Sequence, residues 1–365
     1  MSLSLRNLFQ DKTRFALSVG GVALAVMLTL LLNGFLAGMY AQITAYLENA
    51  PGSIVIAQDG VNNLLGATSL LPAGAAVAVK SEGAENVVPI LSQFIILELH
   101  EKKQPAYLIG YDPKIGGGPW RMAAGREPRN EREVVFDRIL AERHGIALGE
   151  TLEIMDRNFT VVGLSDGTSS WMTSFIFVRK VAAENLLRAP DASSFLLVTP
   201  PARFNDAAML ARLRNVARVQ VLPKQQVMAN DMKLFGKFFS APIQLMVAIA
   251  FLVGTLIVGL VIYTATVERQ REYGVLKAIG AKNGVLYRVV ATQAVIAAGA
   301  GSLIGIIATY GAARLIMSFY PQFLVVVELR ALIQSLVIGL GMALLAALFP
   351  ARVIARLAPA EVFRK

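Results

Sequence analysis

The chain has no cysteine among its 365 residues, and only two histidines and two tryptophans. Without thiols there is no disulfide, no thiol nucleophile and no cysteine-built metal site, and the redox compartment leaves no mark on the sequence. His100 and His144 stand far apart in the chain and outside any HExxH spacing. Each reads as a polar or partly buried domain residue rather than a metal ligand. Ser92, Ser165 and Ser169 lack the glycine-flanked elbow of a hydrolase nucleophile, and Glu98 and Glu101 beside His100 read as an exposed strand end. A phosphate-cradling G-x-x-x-x-G-K-[ST] loop is also missing. The one Gly-Lys pair, Gly236-Lys237, has neither the upstream glycine nor the following hydroxyl residue. No catalytic, cofactor-binding or metal site is expected in these residues.

Charge is missing over four long stretches: Phe15–Leu47, Phe238–Val267, Val289–Ala313 and Ala331–Phe349. Each is close to or longer than the roughly 20 residues that cross a bilayer. With 55% hydrophobic residues and a mean hydropathy of +0.56, the composition fits a membrane protein with a soluble part. The first stretch exceeds the apolar core of a cleavable signal peptide, and no small-x-small site follows, so it reads as a permanent anchor. Gly34-x-x-x-Gly38 and Gly301-x-x-x-Gly305 have the spacing of close helix contacts. Inside the spans only polar residues such as Asn33 and Gln293 occur, where an ion-driven carrier would place Asp, Glu or His. A hydrophilic path through the bilayer is therefore not expected.

The charge that is present is concentrated. Of the net +10, the N-terminal tail (Arg6, Lys12 and Arg14 against Asp11) supplies +2. The segment with Arg269, Arg271, Lys277, Lys282 and Arg288 against Glu268 and Glu272 supplies +3, and the C-terminal tail (Arg352, Arg356, Arg364 and Lys365 against Glu361) another +3. Residues 41–239 are nearly balanced, 21 basic against 20 acidic. This is positive-inside topology and not a nucleic-acid surface. The loop Ser318–Leu329 has no Lys or Arg of its own, and Arg314 and Arg330 at its edges can snorkel.

The expected fold is an α-helical membrane protein of four transmembrane helices with an α+β extracytoplasmic domain inserted between spans 1 and 2. In order, these are a cytoplasmic tail (1–14), helix 1 (15–40), the extracytoplasmic domain with helical stalks (41–239, its middle subdomain about 120–190), and helix 2 (240–267). A cytoplasmic coupling segment (268–288), helix 3 (289–314), a short outer loop (315–329), helix 4 (330–350) and a cytoplasmic tail (351–365) complete it. Within the domain, Ser53–Ala57, Ala73–Ser81 and Val87–Leu99 read strand, helix, strand, and so do Phe195–Thr199, Asp206–Arg214 and Val219–Leu222. They are taken as two half-repeats that fold together. Between them, Glu133–Phe136 reads as a strand, Asp137–His144 as a helix ended by Gly145, and Asp156-Arg157-Asn158 as a hairpin turn. Lys224–Lys237 is read as a stalk, with Pro242 in the first turn of the next helix. Val61–Leu71 and Gly116–Gly125, at the tip, are read as disordered loops, with contact to cargo or an adaptor as the alternative.

One stretch between apolar runs is dense in charge. Glu268–Ile279 reads as a short helix, with Val275, Leu276 and Ile279 at i, i+1 and i+4, Gly280 as a left-handed cap and Asn283 capping the next helix. Glu268-Arg-Gln-Arg-Glu-Tyr-Gly-Val-Leu-Lys-Ala-Ile-Gly-Ala281 resembles the coupling segment of the MacB/FtsX family of ABC transporter permeases. The run Gly125-Arg126…Glu133-Val-Val…Gly145-Ile-Ala-Leu-Gly149…Phe159-Thr-Val-Val-Gly163 resembles that family's extracytoplasmic domain, and Pro350-Ala-Arg…Pro359-Ala-Glu-Val-Phe-Arg364 its C-terminal pattern.

The resemblance implies a non-catalytic permease subunit in a bacterial inner membrane, both termini cytoplasmic. It would pair as a homodimer, or with a similar permease, above separate ABC ATP-binding subunits that hold ATP and magnesium. It implies that Glu268, Arg271, Glu272 and Lys277 make polar contacts to the ATPase. Tyr273, Val275, Leu276 and Ile279 would pack against the ATPase or the membrane-facing helices, and Gly274 and Gly280 would allow close approach. Closure of the ATPase would then move the outer domain (mechanotransmission) to export or extract an amphiphilic cargo, with membrane lipid as a neighbour and room for a periplasmic adaptor and outer-membrane duct. An FtsX-like regulator of an envelope enzyme, or a scaffold or sensor without an ATPase, are the alternatives.

Overall fold

The structure is a computed structural model that describes residues 12–72, 74–170, 172–268 and 270–356. The first eleven residues, Arg269 and the Pro359–Arg364 pattern lie outside the described residues. The chain divides into a helical unit (residues 1–37, 239–320 and 325–365) and an α+β unit (residues 38–238 and 321–324).

Four helices among the described residues are long and apolar enough to cross a membrane. They are α1 (Lys12–Asn49), α6 (Lys224–Glu268), α8 (Asn283–Phe319) and α9 (Leu329–Arg356). At 1.5 Å per residue the 45 residues of α6 extend about 68 Å, twice a hydrocarbon core of about 30 Å. The proposed stalk and span are thus one continuous helix. Pro242 sits in its interior and not in a first turn, at the cost of the hydrogen bond to Phe238 O. Pro350 is likewise inside α9, which continues to Arg356 where a tail was expected.

The core of the helical unit is built from small and β-branched residues. Val22, Ala25 and Val26 of α1 meet Val258 and Ile262 of α6, Ala294 and Ala298 of α8, and Met342, Ala343 and Ala346 of α9. Lipid gives no hydrophobic drive between helices, so such packing depends on close approach. Gly301 and Gly305 provide it: a Cβ at Gly305 would stand 2.7 Å from Ala23 O, and one at Gly301 2.6 Å from Val22 Cβ. The other pair, Gly34 and Gly38, was expected to meet a helix. Gly34 instead faces the non-helical segment after α8, where Val326 N donates to Gly34 O (2.9 Å). Asn33 is satisfied within its own helix by Thr29 O (2.8 Å), which leaves it no need of a polar path.

The α+β unit has ten strands among the described residues: β1 (Ile54–Gln58), β2 (Asn86–Leu99), β3 (Lys102–Tyr111), β4 (Met122–Gly125), β5 (Glu133–Asp137), β6 (Thr151–Ile154), β7 (Arg157–Ser165), β8 (Ser174–Arg179), β9 (Phe195–Thr199) and β10 (Val219–Pro223). Their order is β10-β1-β9-β2-β3-β8-β5-β7-β4, with β6 on β7. The two half-repeats interlock. β1 lies between β10 and β9, and β9 between β1 and β2, all antiparallel. Each β-α-β unit thus has a strand of the other inside it, a split βαβ arrangement. α2 (Ala75–Ser81) and α5 (Asp206–Leu213) cover this sheet through Val79, Met209 and Leu213 against Ile54, Ile56 and Val198.

The long strand β2 joins the two parts: residues 86–90 pair with β9 and residues 91–99 with β3. Beyond it, β3 and β8 are parallel, as are β5 and β7. α3 (Arg138–His144) and α4 (Lys180–Leu187) close the second core around Phe136, Leu140, Ile176 and Ala183. Asp137 caps α3, its Oδ1 accepting from Leu140 N (2.8 Å) and its Oδ2 from Thr168 Oγ1 (2.7 Å).

Two expectations are corrected here, and two residues distant in the chain meet. The β6–β7 turn is the two residues Met155-Asp156, at φ 49 and 63, one step earlier than Asp156-Arg157-Asn158. Neither carries the Asn-Gly signature of such turns, so the pattern misplaced it. His100 and His144 are not apart in space: His100 forms the β2–β3 turn with Glu101, and its Nδ1 lies 3.0 Å from His144 O. The tip loop Val61–Leu71 is held rather than loose. Asp231 accepts from Leu64 N and Leu65 N (both 3.1 Å), Asn230 Nδ2 donates to Asn62 O (2.7 Å), and Tyr107 OH donates to Leu65 O. In Gly116–Gly125, Gly117 O accepts from buried Tyr46 OH (2.7 Å), and Met122–Gly125 is strand β4.

Candidate coupling segment

Of the short helix expected over Glu268–Ile279, the described residues are helical through Glu268 (α6) and over Gln270–Ala278 (α7) on either side of Arg269, and Ile279 lies in the turn beyond. That turn is closed by Ile279 N to Val275 O (3.1 Å) and Gly280 N to Lys277 O (3.0 Å). Gly280 has φ 96, and a Cβ there would meet nothing within 4 Å. What this glycine supplies is the left-handed backbone and not space. α8 starts one residue earlier than the expected cap implied. Lys282 occupies the N-cap without a side-chain hydrogen bond, and Asn283 is already helical. Val285 N donates to Lys282 O (2.9 Å), so the backbone closes the turn unaided.

The exposed faces decide what the segment can do. Glu268, Arg271 and Glu272 are exposed, Lys277 is half-buried and Gly274 is buried. Glu268, Glu272 and Lys277 each have interactions with neighbours. Val275 is 43% and Ile279 76% exposed. Within this chain, Val275 is thus only partly covered and Ile279 is largely uncovered. The side chains of Tyr273 and Leu276 lie outside the described residues. Two further apolar residues, Val285 (55% exposed) and Tyr287 (41%), stand on the first turns of α8. Both lie inside the expected segment 268–288, but in the sequence they look like the start of the uncharged run that follows. The result is a charged and apolar surface on α7, the turn after it and the first turns of α8.

Residues 15–217 match the MacB-like periplasmic core domain, and residues 245–359 match the FtsX-like permease C-terminal domain. The chain belongs to the MacB/FtsX family of ABC transporter permeases. Relatives extend over nearly its whole length. An uncharacterized ABC transporter permease of Mycobacterium tuberculosis is 23% identical over 344 residues, covering 92% of this chain and 93% of the relative. A protein of Staphylococcus haemolyticus named for a hemin transport system is 19% identical over 323 residues, 88% of this chain and 87% of that one. Among solved structures, the periplasmic region of MacB from Actinobacillus actinomycetemcomitans aligns at TM-score 0.38 and 15% identity, over 50% of this chain and 94% of that one. As an ABC permease with four candidate spans, the chain is a multi-pass membrane protein whose function implies an ATP-binding partner.

Proposed function

We propose that this permease couples ATP hydrolysis on a partner subunit to movement of its α+β unit, for export or extraction of an amphiphilic cargo. The observation that carries the coupling is the α7 turn, where Val275 and Ile279 are exposed beside exposed Glu268, Arg271 and Glu272, between two candidate spans. An apolar side chain left 76% exposed, as Ile279 is, gains roughly 1 kcal/mol or more when a partner covers it. Flanking charges would set orientation and register more than affinity. Glu268, Arg271, Glu272, Tyr273, Gly274, Leu276, Lys277, Ile279 and Gly280 form the docking surface in this reading. The subunit itself performs no chemistry. The uncharged spans support a mechanism in which cargo is handled outside the bilayer core, and long continuous α1 and α6 are stiff enough to carry force. A dimer of permeases above two ATP-binding subunits, with both termini cytoplasmic, is the assembly that the basic segments favour.

The test is co-purification of an ATP-binding subunit with the tagged chain in detergent, followed by ATPase assay. Wild type should retain the partner. Glu268→Ala with Glu272→Ala, and separately Ile279→Asp, should each weaken retention by about tenfold or more. Full retention and unchanged ATP-dependent activity in both variants would sink the assignment.

A further inference from the structure

We propose that the groove walled by Arg126, Arg129, Arg132, Arg179, Asn130 and Thr160 on the α+β unit binds a doubly charged phosphoryl group. The groove is an open surface depression of about 670 Å³. Its floor is a loop made rigid by one carboxylate. Glu133, 8% exposed, accepts from Arg126 Nη1 (2.7 Å) and Nη2 (2.8 Å), Arg129 N (2.6 Å) and Asn130 Nδ2 (2.8 Å). Those bonds use up both oxygens of Glu133 and neutralise Arg126. The other acid in the groove, Glu131, is turned to α4, where it accepts from Asn185 Nδ2 (3.0 Å).

Three guanidinium groups are left over. Arg179, at the end of β8, is oriented by Nη1 donating to Arg129 O (2.7 Å), its one side-chain hydrogen bond among the described residues. The side chains of Arg129 and Arg132 make no hydrogen bond or ion pair among the described residues, although their backbones are fixed by Glu133, Asn130 and Thr160. Four arginines against two glutamates leave the groove at net +2, in a region of the chain that is otherwise nearly balanced. Like charges gathered on a preorganised loop repel one another until an anion joins them. Each guanidinium presents a planar fork of donors that fits phosphoryl oxygens two at a time. A phosphomonoester dianion matches the surplus of two charges and a pyrophosphate more than offsets it, where a single carboxylate would leave one uncompensated. This inference does not depend on the coupling segment, and its test does not use an ATPase.

The group could come from a lipid headgroup or from a soluble phosphate, and titration calorimetry on the full chain in detergent distinguishes the two. Inorganic pyrophosphate and dihexanoyl phosphatidic acid are titrated separately, with dihexanoyl phosphatidylcholine and sodium sulfate as controls. Saturable binding of pyrophosphate identifies a soluble phosphate, and binding of phosphatidic acid alone identifies the headgroup. In either case Arg129→Gln with Arg132→Gln should weaken binding by about tenfold or more. Arg212→Gln, on α5 away from the groove lining, should leave it unchanged. The proposal is overturned if neither phosphate binds, if sulfate or phosphatidylcholine binds equally well, or if the groove variant that retains its circular dichroism binds as wild type does.

Discussion

Two carboxylates in the α+β unit show how one side-chain chemistry takes opposite behaviour from its surroundings. Glu133 is held to a pKa of about 2, first by the Arg126 guanidinium. Its pKa falls on folding, so it stabilises the unit above the ordinary glutamate range near 4, and that contribution is lost as pH falls towards 2. Glu133→Ala removes the anchor of the 126–133 loop and strands Arg126. A loss of about 3 kcal/mol is expected, read as a lowered midpoint in chemical denaturation and faster proteolysis at Arg129 or Arg132. Asp231 goes the other way. It lies in the part of α6 that belongs to the α+β unit, 1% exposed, and burial pushes its carboxyl to about 6 against the bonds from Leu65 N and Leu64 N. Because the folded pKa is raised, the ionised form carries a penalty that is full above pH 6 and gone below about 4. Over that window the shift corresponds to about 3 kcal/mol. Thermal unfolding of wild type should therefore gain on that of Asp231→Asn as pH is lowered from 7 to 4.5; parallel curves would refute this account.

At the scale of elements, the turns are where pattern and structure parted. Met155 and Asp156 adopt φ 49 and 63 without glycine or asparagine at the first position, because the strands β6 and β7 on either side fix the register from Leu152↔Phe159 outward. Met155→Asn with Asp156→Gly should relieve that backbone and raise stability by about 1 kcal/mol, seen as a higher unfolding temperature. Gly280→Ala is the mirror case. The Cβ meets nothing, so the cost is about 1 kcal/mol of backbone conformation confined to the turn between α7 and α8. If that turn positions the docking surface, this variant should keep its fold and spans yet stimulate partner ATPase less than wild type. The strands themselves were legible at Glu133–Phe136 and Phe195–Thr199, where unbroken apolar runs mark burial on both faces. β4 was not legible, since Met-Ala-Ala-Gly has no alternation, and its place depends on pairing with β7.

For the whole molecule, the absence of cysteine gives a direct test of orientation. A single cysteine placed at Lys80 on α2 should react with a membrane-impermeant maleimide in intact cells, and one at Ala278 on α7 only after the membrane is opened. The reverse pattern would invert the topology drawn from the basic segments. Packing in the helical unit has its own test. Gly305→Leu would drive side-chain atoms into Ala23 O and Val26, so folded yield in detergent should fall severalfold, whereas Gly311→Leu, with nothing within 4 Å, should be tolerated.

What the sequence determined by itself was the four spans, the class of the inserted domain and the charged segment between apolar helices. These follow from long-range sums of hydropathy and from where charge can lie, which are properties of composition along the chain. Tertiary structure decided what depends on partners distant in sequence. It interlocked the half-repeats by placing β9 against β1, and it set Gly34 against Val326 instead of a helix. It brought Asp231 under a loop some 165 residues earlier, and it turned Val275 and Ile279 outward. Periodicity can say that a face is apolar. Only the positions of the neighbouring chain segments say whether that face is covered.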